Sequence, residues 1–134
     1  KELIADLNAL KYSFNPYNVN SLSIIAGTEA VKDVDYFEEC RAKLMQNRGK
    51  LTAGLRGMGF TVLDSKANFV FAKPTDMTGK ECFDALRENG ILVRWFDKPR
   101  IGDFLRITVG DKTQVEKFLE TMKKIIRDGK GSSK

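Results

Sequence analysis

Leu3, Ile4, Leu7 and Leu10 recur at helical spacing and predict a first helix over residues 1–12. The run stops at Ser13-Phe-Asn-Pro-Tyr-Asn18, a segment rich in turn formers. Asn20 or Ser21 then suits an N-cap, and Leu22, Ile24, Ile25, Ala26, Ala30 and Val31 follow, apolar almost all round. Such a helix is expected to be deeply buried. Phe37, Cys40, Leu44, Leu51, Leu55 and Met58 form the strongest stripe of the chain, ended by Gly57-Met-Gly59 as a C-cap.

Beyond residue 60 the period changes. Short β-branched and aromatic runs near 61–63, 68–73, 91–96 and 104–109 read as strands. Between the second and third, Thr78-Gly-Lys-Glu81 is a capping-box pattern opening a helix through Phe83 and Leu86 that closes at Asn89-Gly90. Asp111-Lys-Thr-Gln114 repeats that pattern before Val115, Phe118, Leu119, Met122, Ile125 and Ile126. Residues 129–134 are expected to be a disordered tail. Helices followed by strand–strand–helix–strand–strand–helix predict an α+β, two-layer sandwich. Its small, mostly antiparallel sheet would be covered on one face by helices.

The last two strands each carry one arginine. A symmetric antiparallel pairing about residue 100 sets Arg94 directly opposite Arg106. Two like charges in a cross-strand pair destabilise a sheet. Alternation puts Phe104, Arg106 and Thr108 on one face of the last strand, with Leu92, Arg94 and Phe96 as the matching set. Leu105, Ile107 and Val109 point the other way, toward the helices. A face mixing phenylalanines with arginines calls for a cover. Spacing leaves two readings open. Each arginine pairs with a local carboxylate (Asp97, Asp103 or Asp111), or both grip an anion, since guanidinium forks match carboxylate and phosphate oxygens. Gly110 is a helix-entry turn in the first reading; in the second it permits close approach by a ligand or another chain segment.

Composition narrows the chemistry. The chain has 134 residues, which suits one compact domain, and 42% of them are hydrophobic, enough for a core. A net charge of +5 raises the question of nucleic acid, yet the basic residues are scattered and several fall near the C-terminus. No nucleic-acid partner is expected. No histidine is present, which excludes a Ser-His-Asp triad, histidine-based acid–base catalysis and metal sites that need imidazole. Cys40 and Cys82 lie in helical patterns without CxxC spacing and are expected to be buried free thiols of a cytoplasmic protein. No apolar run approaches a membrane span. No lysine stands out as a catalytic amine, and neither a nucleophile–base pair nor a metal cluster is legible. A complete active site is not encoded here.

Four strings carry a resemblance: Asn15-Pro-Tyr-Asn-Val-Asn20, Ala67-Asn-Phe-Val70, Gly90-Ile-Leu-Val-Arg94 and Phe104-Leu-Arg-Ile-Thr-Val-Gly110. In this order and spacing they resemble the C-terminal part of histidinol-phosphate aminotransferases, members of the fold-type I PLP-dependent aminotransferases. The resemblance runs from about residue 1 to residue 127. It implies a linker helix over 1–12 from an absent large domain, and an aminotransferase small domain over 13–128. It implies that Arg106 grips the substrate phosphate, that Arg94 lies beside the same anion, and that Tyr17 and Asn18 belong to a loop at the mouth of the site, near the partner subunit. Asn68 matches a polar position at the start of a strand feeding the site and is taken as structural. The Schiff-base lysine and most of the PLP pocket lie upstream in that family. The resemblance therefore implies that PLP is bound by the absent domain and that this chain alone is inactive. The implied parent enzyme is a cytoplasmic homodimer transferring an amino group between a phosphorylated amine and 2-oxoglutarate. A related aromatic aminotransferase or threonine-phosphate decarboxylase shares this plan. A free-standing α+β anion- or RNA-binding module is the rival of another class.

Overall fold

The computed structural model describes residues 1–14 and 17–131, and the chain divides into two compact units, Lys1–Glu39 and Cys40–Lys134. The first unit holds α1 (Glu2–Phe14), α2 (Ser21–Lys32) and the start of α3 (Val34–Gly57). Asn20 caps α2, its side chain accepting from the Ser23 amide at 2.9 Å. Helix α3 begins three residues before Phe37, because Asp33 accepts from the Tyr36 amide at 3.2 Å and serves as its N-terminal cap.

The deep burial expected for α2 is not found. None of its residues is buried, and Leu22, Ile24, Ile25 and Val31 are all exposed. A helix apolar on every side needs neighbours on every side, and two helices with the start of a third are too few to surround it. Cys40 likewise is exposed rather than buried.

The second unit contains the core. β1 (Thr61–Val62), β2 (Phe69–Lys73), β3 (Arg94–Trp95) and β4 (Leu105–Thr108) form an antiparallel sheet in the order β1-β2-β4-β3. Helices α4 (Gly79–Glu88) and α5 (Lys112–Gly131) complete the element order read from the sequence. Val62, Val70, Ala72, Leu105 and Ile107 alternate inward along the strands. They meet Leu51 and Leu55 of α3, Cys82 and Leu86 of α4, and Val115, Phe118 and Met122 of α5 in one cluster.

Local chemistry sets the element ends. α3 stops in a Schellman motif: the Phe60 amide donates to the Leu55 carbonyl and Gly59, at φ +89, donates to Arg56. α4 opens with the reciprocal Thr78–Glu81 capping box, and Asp111 and Gln114 exchange the same pair of bonds at the head of α5.

Three expected bounds change. Helix α1 runs through Phe14, two residues into the segment expected to end it, where the Ser13 hydroxyl donates back to the Ala9 carbonyl at 2.8 Å. The strand expected over 91–96 is laddered only at Arg94–Trp95. The Ile91 amide donates instead to the Leu86 carbonyl at 2.9 Å, so the helix terminus takes the start of this segment from the sheet. Helix α5 runs through Gly131, so residues 129–131 are helical where a disordered tail was expected, and residues 132–134 lie outside the described residues.

Candidate functional site

The antiparallel register of β3 and β4 pairs Arg94 with Arg106 and Trp95 with Leu105. This is the symmetric pairing about residue 100. β2 completes the arrangement from the other side, with Phe71 opposite Arg106 and Phe69 opposite Thr108. Alternation therefore gathers Phe69, Phe71, Arg94, Phe96, Phe104 and Arg106 on the face turned away from the core.

The turn between the two strands is fixed from within. Trp95 sits on the inward side, its ring centroid 6.2 Å from that of Phe83, and its Nε1 donates to the Gly102 carbonyl at 2.6 Å. The Lys98 amide donates to Phe96 and the Gly102 amide to Lys98, each at 2.9 Å. At the far end of β4 a second anchor comes from α3. Asn47, buried in the core, donates from Nδ2 to the Gly110 carbonyl at 3.1 Å. Its neighbour Arg48 donates to the Ala67 carbonyl at 2.9 Å, just ahead of β2. The Val109 amide donates to the Asn68 carbonyl at 2.9 Å and extends the ladder between those anchors, which gives the Asn68 backbone a structural role. A Cβ on Gly110 would run into the Gln114 side chain, so the close approach there is made by the chain itself.

The carboxylate reading of the arginines is not realised. Among the described residues neither arginine forms an ion pair. Asp103 pairs with Lys73 at 2.7 Å, and Asp111 is engaged in the α5 cap. The guanidinia lie against rings instead. Arg106 Cζ is 5.4 Å from the Phe69 centroid and 6.0 Å from that of Phe96, while Arg94 Cζ is 5.6 Å from Phe96. Phe71 and Phe104 stack beside them at 4.8 Å with planes 10° apart. Arg106 is half-buried, and its Nε is buried with no hydrogen-bond partner. A desolvated donor without an acceptor is costly. An anion brought against this face would supply one.

A cleft of about 400 Å³ opens where residues 91–93 part from β4, lined by Ile91, Val93, Thr108 and Phe118 among others, and it contains neither arginine. Tyr17 and Asn18 belong to the first unit, between α1 and α2, with Tyr17 86% exposed. Asn15 and Pro16, which head the same motif, lie outside the described residues. No metal-binding cluster occurs among the described residues. Every lysine whose burial is described is exposed, so none offers the desolvated amine that would hold an aldehyde cofactor. Among the described residues no helix is long and apolar enough to cross a membrane.

Two parts of this site were missed in the sequence. Phe69 and Phe71 alternate as Phe96 and Phe104 do, but their register against Arg106 is a tertiary fact. Asn47 had a readable signal: it interrupts the α3 stripe midway between Leu44 and Leu51.

The α+β fold that carries this arginine-bearing sheet face can be compared with those of known proteins. Residues 4–122 match the model of the aminotransferase class I and II family, and the chain belongs to that family. A histidinol-phosphate aminotransferase of Clostridium botulinum is 40% identical over 126 residues, covering 94% of this chain and 36% of that protein. The crystal structure of the histidinol-phosphate aminotransferase from Clostridium acetobutylicum superposes with TM-score 0.76 at 26% identity, over 89% of this chain and 37% of that one. The Sinorhizobium meliloti histidinol-phosphate aminotransferase, solved in complex with pyridoxal-5'-phosphate, shares the fold with TM-score 0.74 at 20% identity, over 90% of this chain and 33% of that one. The chain thus spans about a third of the length of the relatives it matches.

Proposed function

We propose that this chain is the C-terminal small domain of a PLP-dependent histidinol-phosphate aminotransferase, and that Arg94 and Arg106 together hold the substrate phosphate. One observation carries the reading: two guanidinia stand in register across adjacent strands without a carboxylate partner among the described residues, one with a buried, unpaired Nε. A phosphate between them supplies charge and acceptors to both.

In this reading residues 1–12 are a linker helix and residues 13–128 the small domain. Tyr17 and Asn18 belong to a loop at the mouth of the site, near the partner subunit of a homodimer. PLP, when bound by the rest of the enzyme, supplies the electron sink for amino transfer to 2-oxoglutarate. No described lysine is suited to hold that cofactor, so this chain's part is to grip the far end of the amine and hold it in place. The enzyme works in the cytoplasm.

The test is steady-state kinetics of the complete enzyme with histidinol phosphate, aromatic amino acids and phosphothreonine. Histidinol phosphate is expected to give the highest kcat/KM; preference for an aromatic amino acid or turnover of the phosphothreonine analogue would overturn the substrate assignment. Arg106→Lys keeps the charge but loses the planar fork, so kcat/KM should fall about 10- to 100-fold, the equivalent of roughly 1.5–3 kcal/mol for hydrogen bonds to a charged group. Wild-type efficiency in that variant would remove Arg106 from the site. The chain by itself, mixed with PLP, should develop no imine absorbance.

A further inference from the structure

Both guanidinia of the pair converge on a single ring. Arg94 Cζ lies 5.6 Å and Arg106 Cζ 6.0 Å from the centroid of Phe96, and Arg106 lies also against Phe69 at 5.4 Å. Phe96 is the residue next after β3, and its place is set on both sides. Trp95, just before it, is tied to the Gly102 carbonyl at 2.6 Å and faces Phe83 across the core side. The Phe96 carbonyl accepts from the Lys98 amide at 2.9 Å. The ring is therefore carried by a braced backbone, while the two arginine side chains are long and without ion-pair partners among the described residues.

We propose that Phe96 is a positioning residue for the anion site: its π face sets the spacing and direction of the Arg94 and Arg106 guanidinia before a phosphate arrives. The inference rests on the phosphate-binding reading of the two arginines. A ring quadrupole presents negative potential on its face, so one ring attracts both cations and reduces their mutual repulsion without neutralising either. An aspartate in the same place would attract them more strongly, but would occupy the donors that the ligand needs. An aromatic frame keeps the fork hydrogens available. Pre-organisation of this kind acts on affinity, because side chains already held in place lose less freedom when the ligand binds.

The experiment compares Phe96→Leu, Phe96→Tyr and Arg106→Lys in the complete holoenzyme. It measures kcat, the KM for histidinol phosphate, and competitive inhibition by inorganic phosphate. Phe96→Leu should raise that KM and the phosphate inhibition constant together, by about tenfold, with kcat within about twofold of wild type. Phe96→Tyr, which keeps the ring, should restore both to within about twofold. Replacement of Phe96 by 3,4,5-trifluorophenylalanine keeps nearly the same shape while draining the π face, and should raise both constants even if the leucine variant does not fold. Unchanged constants in the trifluoro variant, or a tyrosine variant as weak as leucine, would overturn the proposal. If Arg106→Lys also leaves both constants unchanged, the phosphate-site reading itself fails; if Arg106→Lys weakens them while the Phe96 variants do not, only the role of Phe96 fails.

Discussion

Replacing Asn47 tests how the arginine strand is anchored. Asn47 lies on α3 at 7% exposure, and its amide donates at 3.1 Å to the carbonyl of Gly110, 63 residues along the chain. That carbonyl ends the β4 segment and immediately precedes the Asp111 cap of α5. Asn47→Ala removes a hydrogen bond worth about 1 kcal/mol net and leaves a small void, so the second unit should lose roughly 1–2.5 kcal/mol of stability. Asn47→Leu separates these two contributions. It fills the space but leaves the Gly110 carbonyl unpaired, so it should be no more stable than the alanine variant. Urea titration followed by fluorescence of Trp95, the one tryptophan of the chain, reports on this unit directly. With a slope of about 1–3 kcal/mol per molar urea, the midpoint should fall by roughly 1 M. A leucine variant with the wild-type midpoint would refute the reasoning, since the bond would then contribute nothing that packing does not replace.

The Thr78–Glu81 capping box should make α4 acid-sensitive. Hydrogen bonds from the Thr78 amide, foremost, and its hydroxyl hold the Glu81 carboxyl below its ordinary 4.5. A depressed carboxylate contributes stability above its unfolded pKa and loses it as pH falls through the folded value. Thr78→Ala should therefore lower the urea midpoint more at pH 7 than at pH 3. The two thiols should separate chemically. Burial pushes the Cys82 thiol up to about 12, beside the Met122 sulfur at 3.8 Å, whereas Cys40 is exposed. Iodoacetamide at pH 8 should label one cysteine in the native chain and two in denaturant, counted by mass spectrometry; rapid native labelling of Cys82 would show that the core opens.

What the sequence made legible was local chemistry with a short range. Thr78, Asp111, Asn20 and Gly59 mark element ends because cap and turn bonds involve residues three to five apart. The Arg94–Arg106 register was legible as well, since a single seven-residue turn leaves a symmetric pairing as the simplest arrangement. The rest depended on competition or on missing surface. The start of the third strand was lost to the α4 terminus, which takes the Ile91 amide, a contest that propensity alone does not decide. The burial expected for α2 failed because the apolar pattern records which surfaces a helix is suited to meet, and the first unit does not provide them. Asn47 went unread because a polar residue on an apolar stripe looks like an interruption until its acceptor is known.

The electrostatics of the paired arginines set how such a site stays both stable and receptive. Two like charges set opposite each other across adjacent strands repel. The three guanidinium–ring contacts to Phe69 and Phe96, at about 0.5–1 kcal/mol each, offset part of that repulsion. The rings thus ease the repulsion without neutralising either charge, so the attraction to an anion remains available for binding. A carboxylate partner would make the resting sheet more stable and the site weaker, because the ligand would have to displace it. Lys73 takes Asp103 out of that competition, and the α5 cap does the same for Asp111. The arrangement leaves the two strongest fork donors of the sheet facing outward, braced by rings and unneutralised.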